Sequence, residues 1–110
     1  MYLQKRQNKY NNKSSTYGGH TYHSKKEAAY AEELDIRVMA KELKSWERQV
    51  PLHLYVNGMK ICTYTIDFVE EDMNGNKMYT EIKGFQTPEW RLKWKLFEAL
   101  HPELEKQVIT

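Results

Sequence analysis

One cysteine in 110 residues, Cys62, excludes an intrachain disulfide framework and any multi-cysteine zinc site. It has no His or Asp at a spacing that would make it a nucleophile, and it reads as a buried, inert side chain. No apolar run approaches the ~18 residues that cross a bilayer. The opening MYLQKRQNKY has no apolar signal core. Membrane and secreted settings are therefore not expected, and the reducing cytoplasm is the default compartment. No glycine-rich phosphate loop is present, so ATP use is not expected. There is also no internal repeat and no long linker. Acids are missing altogether from residues 1–26, which carry Lys5, Arg6, Lys9, Lys13, Lys25 and Lys26. The remaining residues hold 11 bases against all 15 acids. A basic arm over residues 1–23, on a mildly acidic body over 24–110, calls for an anionic partner, of which nucleic acid is the commonest. A solvating tail is the plain alternative.

With 40% apolar and 29% charged residues the composition is globular, and the length suits one core. Tyr17-Gly18-Gly19-His20 carries a turn signal, and Thr21-Tyr22-His23 reads as a short extended stretch. Ser24 and Glu27 have capping-box spacing, and the alanine- and leucine-rich run after them predicts a helix over 24–44, with a loop around Trp46. Its stripe is Tyr30, Leu34, Val38 and Lys41. Three antiparallel strands follow, over 51–56, 59–69 and 77–83, joined at Asn57-Gly58 and Asn74-Gly75. The first turn pairs Val56 with Met59 and Leu54 with Ile61. Thr87-Pro88-Glu89 opens a second helix over 88–100, with Trp90, Trp94, Phe97 and Leu100 as its stripe and Leu92, Leu96 and Ala99 beside it. Residues 104–109 read as a last strand. The order is αβββαβ, an α/β (α+β) class with a mixed sheet flanked by helices; the last crossover requires parallel pairing.

Glu81 and Lys83 share a strand face. Asp67 joins them only in one register. A two-residue loop at Asn74-Gly75 would set Asp67 opposite Ile82. A three-residue loop, Met73-Asn74-Gly75 with Gly75 left-handed, sets Asp67 opposite Glu81 and Ile66 opposite Ile82. The second register also gathers Ile66, Phe68 and Ile82 on the other face as core, and the apolar pattern favours it. Two opposed carboxylates repel and want a cation, and Mg²⁺ takes oxygen ligands together with substrate phosphate oxygens. A charged solvent face is the alternative reading of the same three residues.

The sequence Ile66-Asp67, followed across a hairpin by Glu81-Ile82-Lys83, resembles the PD-(D/E)XK nuclease superfamily, whose core has the αβββαβ order. It resembles more closely a small phage and prophage endonuclease-like family of that superfamily, related to Holliday-junction resolvases, over about residues 9–110. The flanks that carry this are the basic Lys-Tyr-Asn segment, Ser24-Lys25-Lys26-Glu27, Ile66-Asp67-Phe68, Glu81-Ile82-Lys83-Gly84 and Thr87 with Leu92-Lys93-Trp94-Lys95-Leu96-Phe97. Ile66 stands where the superfamily has proline. The resemblance implies a Mg²⁺- or Mn²⁺-dependent endodeoxyribonuclease, a hydrolase of DNA phosphodiester bonds, with branched (junction) and linear DNA both left open as its substrate. It implies Asp67, Glu81 and the Ile82 backbone carbonyl as metal ligands, and Lys83 as the catalytic lysine. Glu27 matches the helix glutamate that approaches the metal through water, and it equally fits a plain capping box.

Lys5, Arg6, Lys9, Lys13, Lys25, Lys26, Lys93 and Lys95 are the candidate DNA contacts, with Arg91 beside the last two; for the helix residues a solvated face is the alternative. His20 and His23 lack further ligands. Gln49 is either a water-orienting amide at the metal or a surface residue. Trp46, Trp90 and Trp94 read as core rather than as base-stacking platforms. Cutting two symmetric strands of a junction calls for a homodimer, with the arm or first helix as interface. Two other functions compete: a non-catalytic DNA-binding protein on the same fold, and a structural or interaction protein of a phage complex.

Overall fold

A computed structural model describes residues 14–110. Its elements are β1 (Ser15–Tyr17), β2 (His20–Tyr22), α1 (Lys25–Met39), β3 (Leu43–Val56), β4 (Met59–Asp72), β5 (Lys77–Ile82), α2 (Pro88–Leu100) and β6 (Glu105–Ile109). The class is α+β: a four-stranded mixed sheet ordered β3-β4-β5-β6, a separate β1–β2 hairpin, and two helices. β5 and β6 run parallel, as a helical crossover between neighbouring strands requires. Among the described residues no helix is long and apolar enough to cross a membrane.

The helices cover opposite faces of the sheet. Ala28, Tyr30, Ala31 and Leu34 of α1 pack with Tyr22, Leu43, Phe68 and Ile82. Phe97 of α2, with Trp90, Trp94 and Leu100 around it, packs on Leu54, Tyr64, Ile66 and Val69. Phe68 and Val69 are consecutive in one strand and fall in different cores, which fixes the two-faced arrangement. Leu92 does not join the α2 core; it is exposed.

Several boundaries differ from the sequence expectation. The arm does not extend to residue 23: from Ser15 the chain forms a hairpin, and Tyr22 is part of the α1 core. α1 ends at Met39, not at 44. Ala40 caps it, Lys41 takes a left-handed φ of 63°, and Glu42 N–H and Lys41 N–H donate to the Arg37 and Val38 carbonyls. That is a Schellman closure with lysine where glycine usually stands, so the usual stop signal is missing from the sequence. β3 then begins at Leu43 and contains Trp46, expected in a loop. As an edge strand it tolerates polar side chains and Pro51. Asn57 and Gly58 both have positive φ and set Val56 opposite Met59, the pairing expected of a primed two-residue turn. Leu54 nevertheless faces Cys62 rather than Ile61, because a register shift between Leu54 and Tyr55 leaves Ile61 unpaired. Cys62 is half-buried, not fully buried.

Candidate active site

The β4–β5 connection decides the site. Asp72 N–H donates to the Asn76 carbonyl, Gly75 N–H donates back to the Asp72 carbonyl, and Gly75 sits at φ 87°. Met73-Asn74-Gly75 is therefore the three-residue loop, reinforced by the Asp72 carboxylate, which accepts from Asn74 and Asn76 N–H. The ladder runs from Glu71–Lys77 to Phe68–Thr80 in the register that brings Asp67 toward Glu81. There it stops. The strands part, and Ile82 N–H donates to Asp67 Oδ2 at 3.0 Å in place of a backbone partner.

The parting belongs to a larger irregularity. In β3, Trp46 packs on the α1 side while Val50 and Leu52 pack on the α2 side. In β4, Tyr64 and Ile66 pack on the α2 side and Phe68 on the α1 side. A regular strand would keep all of these even-numbered residues on one face. Both strands switch between the Arg48–Phe68 and Val50–Ile66 rungs, where Gln49 and Asp67 lie without forming a rung. Gln49 has φ 52°, a left-handed backbone that costs a non-glycine residue about 1 kcal/mol. The switch corrects the expectation that Ile66 shares a core with Phe68 and Ile82: Ile66 goes to the other core. Asp67, buried at this switch, lines a cleft rather than joining either apolar core.

That cleft, of about 380 Å³, is lined by Asp67, Glu81, Ile82, Lys83 and Glu27, with His23, Gln49, Thr63, Tyr64, Thr65, Thr87, Glu89, Trp90 and Lys93 around them. The three acids are almost fully buried, with exposures of 8% for Asp67, 4% for Glu81 and 6% for Glu27. Tyr64 Oη donates to Glu81 Oε1 at 2.8 Å, and Trp90 Nε1 donates to Tyr64 Oη at 3.1 Å. Lys83 Nζ lies 3.8 Å from Glu81 Oε2 and 5.2 Å from the Trp90 ring centroid. Glu27 Oε1 accepts from His23 N–H while Glu27 N–H donates to Ser24 Oγ. Glu27 thus closes the start of α1 and also faces the cleft, so the two readings of this residue are compatible.

Burial pushes all three carboxyls above their ordinary range. Desolvation is the main cause for Asp67. Glu81 is pushed up to about 7, first by desolvation and then by the charge of Asp67. Glu27 rises through desolvation and the same charge. Lys83 opposes the shift at each of them. One ammonium therefore faces three acids. The three acids offer only oxygen, which suits a hard cation, and His23 is the one imidazole in the lining. Among the described residues no three His, Cys, Asp or Glu side chains converge as a ready-made ligand set. A cation retaining water or substrate oxygens as ligands fits Asp67 and Glu81; a tetrahedral zinc site does not.

Of the candidate DNA contacts, Lys93 reaches the cleft, where it pairs with Glu89 at 3.5 Å. Lys25, Lys26 and Lys95 are exposed and do not line it, and Lys26 donates to the Thr110 carbonyl. Lys5, Arg6, Lys9 and Lys13 lie outside the described residues. His23 lines the cleft and His20 does not. The sequence reading missed Tyr64 and the Trp90 indole as partners of the acids; their only signal was aromatic residues within reach of the motif strand. It also missed Glu70, 3% exposed, which accepts from Tyr30 Oη at 2.5 Å in the α1 core.

A protein-family model described as protein of unknown function (DUF1064) matches residues 7–110. No curated protein and no solved structure matches the chain.

Proposed function

The chain belongs to the DUF1064 family, and we propose that it is a Mg²⁺-dependent endodeoxyribonuclease. The observation that carries this reading is the buried Asp67–Glu81 pair with Lys83 beside it on one cleft. Burying acids together is costly unless a cation joins them, and a fold maintains such an arrangement at functional sites. The PD-(D/E)XK resemblance gives the same three residues these roles.

Asp67, Glu81 and the Ile82 carbonyl would hold Mg²⁺, which supplies Lewis-acid polarisation of the phosphate. Lys83 places its ammonium at the cleft wall, where it offsets the charge that grows on the phosphate oxygens as water adds. The Trp90–Tyr64–Glu81 hydrogen-bond chain fixes one oxygen of Glu81 and leaves the other toward Lys83. The Ile82 N–H fixes Asp67 in the same way. Glu27, with its proton affinity raised by burial, is placed to take or return a proton on a water in the cleft. DNA is the substrate class and the cytoplasm the compartment; if the substrate is a branched junction, a homodimer is the assembly that presents two sites to it.

Nicking of supercoiled, linear and four-way-junction DNA, with Mg²⁺ and with chelator, tests the reading. Mg²⁺-dependent cleavage that is lost in Asp67→Ala, together with loss of weak Mg²⁺ binding by calorimetry, is the expected result. No cleavage on any substrate, from a folded protein, would return the chain to a non-catalytic DNA-binding role.

A further inference from the structure

Gln49 does two things at once in this structure. Its backbone adopts a φ of 52° at the point where β3 changes faces, and the residue lines the cleft together with Asp67, which lies between the same two rungs on the neighbouring strand. The backbone task alone would be met better by glycine, which has no Cβ to strain in the left-handed region, or by asparagine, which tolerates it. A glutamine here keeps strain and gains only a long carboxamide. That carboxamide makes no hydrogen bond to any described residue, although Gln49 is half-buried. Strain held beside a cluster of reactive groups is a sign of function.

The cleft also dictates what the amide meets. A phosphodiester entering it approaches Asp67, Glu81 and Glu27, and needs donors to offset them. Lys93 is paired with Glu89, and Lys83 is shared between Glu81 and the incoming phosphate, so one ammonium is left to offset three acids. A lysine or arginine at position 49 would pair with Asp67 and spend its charge there. A neutral amide can donate to a phosphate oxygen and leave the carboxylates free. Resting on the nuclease reading above, we infer that Gln49 is a substrate-contacting residue, its side-chain NH₂ donating to a non-bridging oxygen of the phosphodiester seated over Asp67 and Lys83.

Gln49→Gly separates this from a backbone role, because it keeps the face switch, relieves the strain and removes the amide. The variant is expected to melt at the same or a higher temperature and to cleave DNA about 10- to 100-fold more slowly, the worth of one hydrogen bond to a charged group. Gln49→Asn, which withdraws the amide by one methylene, should fall in the same direction and serves if the glycine variant does not fold. In parallel, the Gln49 side-chain amide signal of the parent protein is followed by NMR as a short DNA duplex is added with Ca²⁺ in place of Mg²⁺; it should shift on addition. If a folded variant cleaves at the parent's rate, or the amide signal stays still while DNA binds, the inference is overturned. If the parent cleaves nothing yet the amide signal shifts with DNA, the phosphate contact stands and the nuclease reading falls. If neither happens, both fall.

Discussion

On the proposed nuclease reading, Lys83 is the residue that supplies the catalytic charge. It projects beside Glu81 from the end of β5, and its backbone N–H is anchored to the Ile109 carbonyl at 2.8 Å. Removing the ammonium in Lys83→Ala should lower Mg²⁺-dependent cleavage on the order of 10²–10³-fold, since charge stabilisation in the transition state is lost. DNA affinity should weaken only modestly, because one phosphate contact among several is removed. Nicking rates and binding isotherms at matched salt check both halves. Glu81 gives a second test. Its carboxyl is held at about 7, against 4.5 for the free side chain. An acid that binds its proton more tightly when folded adds stability that is complete below the unfolded value and is lost as pH climbs through the folded one. Without metal, stability should therefore decline between about pH 4.5 and 7, by a few kcal/mol at most. Asp67 and Glu27 shift in the same direction and add to the slope. Glu81→Gln, which can still accept from Tyr64, should flatten that decline and be more stable than the parent at pH 8 but not at pH 4. Denaturant unfolding across pH measures it.

Among the elements, those with local chemical signatures were readable in advance. Thr87 and Pro88 start α2 as expected, with Thr87 Oγ1 accepting from Trp90 N–H. Gly75 fixed the three-residue loop, and with it the register that brings Asp67 to Glu81. What escaped was structure without a local signature. The end of α1 depends on Lys41 adopting a glycine conformation, and nothing in a lysine announces that. The face switch at Gln49 and Asp67 breaks the alternation from which core membership is read, so strict alternation puts Ile66 on the wrong side. The hidden hydrogen bonds of Tyr64 and Trp90 depend on α2 docking across the sheet, a long-range event. The Schellman closure makes its own prediction. Lys41→Gly should stabilise the protein by about 1 kcal/mol, by removing the steric cost of φ 63° at an exposed position. A shift in the denaturation midpoint at unchanged slope would show it.

For the whole molecule, charge is the property that reaches furthest. The buried acids make the cleft unwelcoming to DNA without a cation, whereas the first 26 residues are purely basic. Binding and cutting should therefore separate in their salt and metal requirements. Deleting residues 1–13 removes Lys5, Arg6, Lys9 and Lys13. Affinity should fall alike for all DNA sequences, and the dependence of log affinity on log salt should become shallower by up to about four contacts. Fluorescence anisotropy of labelled DNA over a salt series measures this, and an unchanged slope would make the segment a solvating tail.

The contact of Trp90 with both Tyr64 and Lys83 has an optical consequence. An indole beside an ammonium, and hydrogen-bonded through a phenol to a titrating acid, senses the local electric field. Trp46 and Trp94 also emit, and replacing each with Phe leaves Trp90 as the one tryptophan, excited at the red edge where the tyrosines do not absorb. Its emission should then change as pH passes through the Glu81 transition near 7, and again when a divalent ion neutralises the acids and frees Lys83. The cleft would thus report its own occupancy by light, with no label attached and no turnover needed.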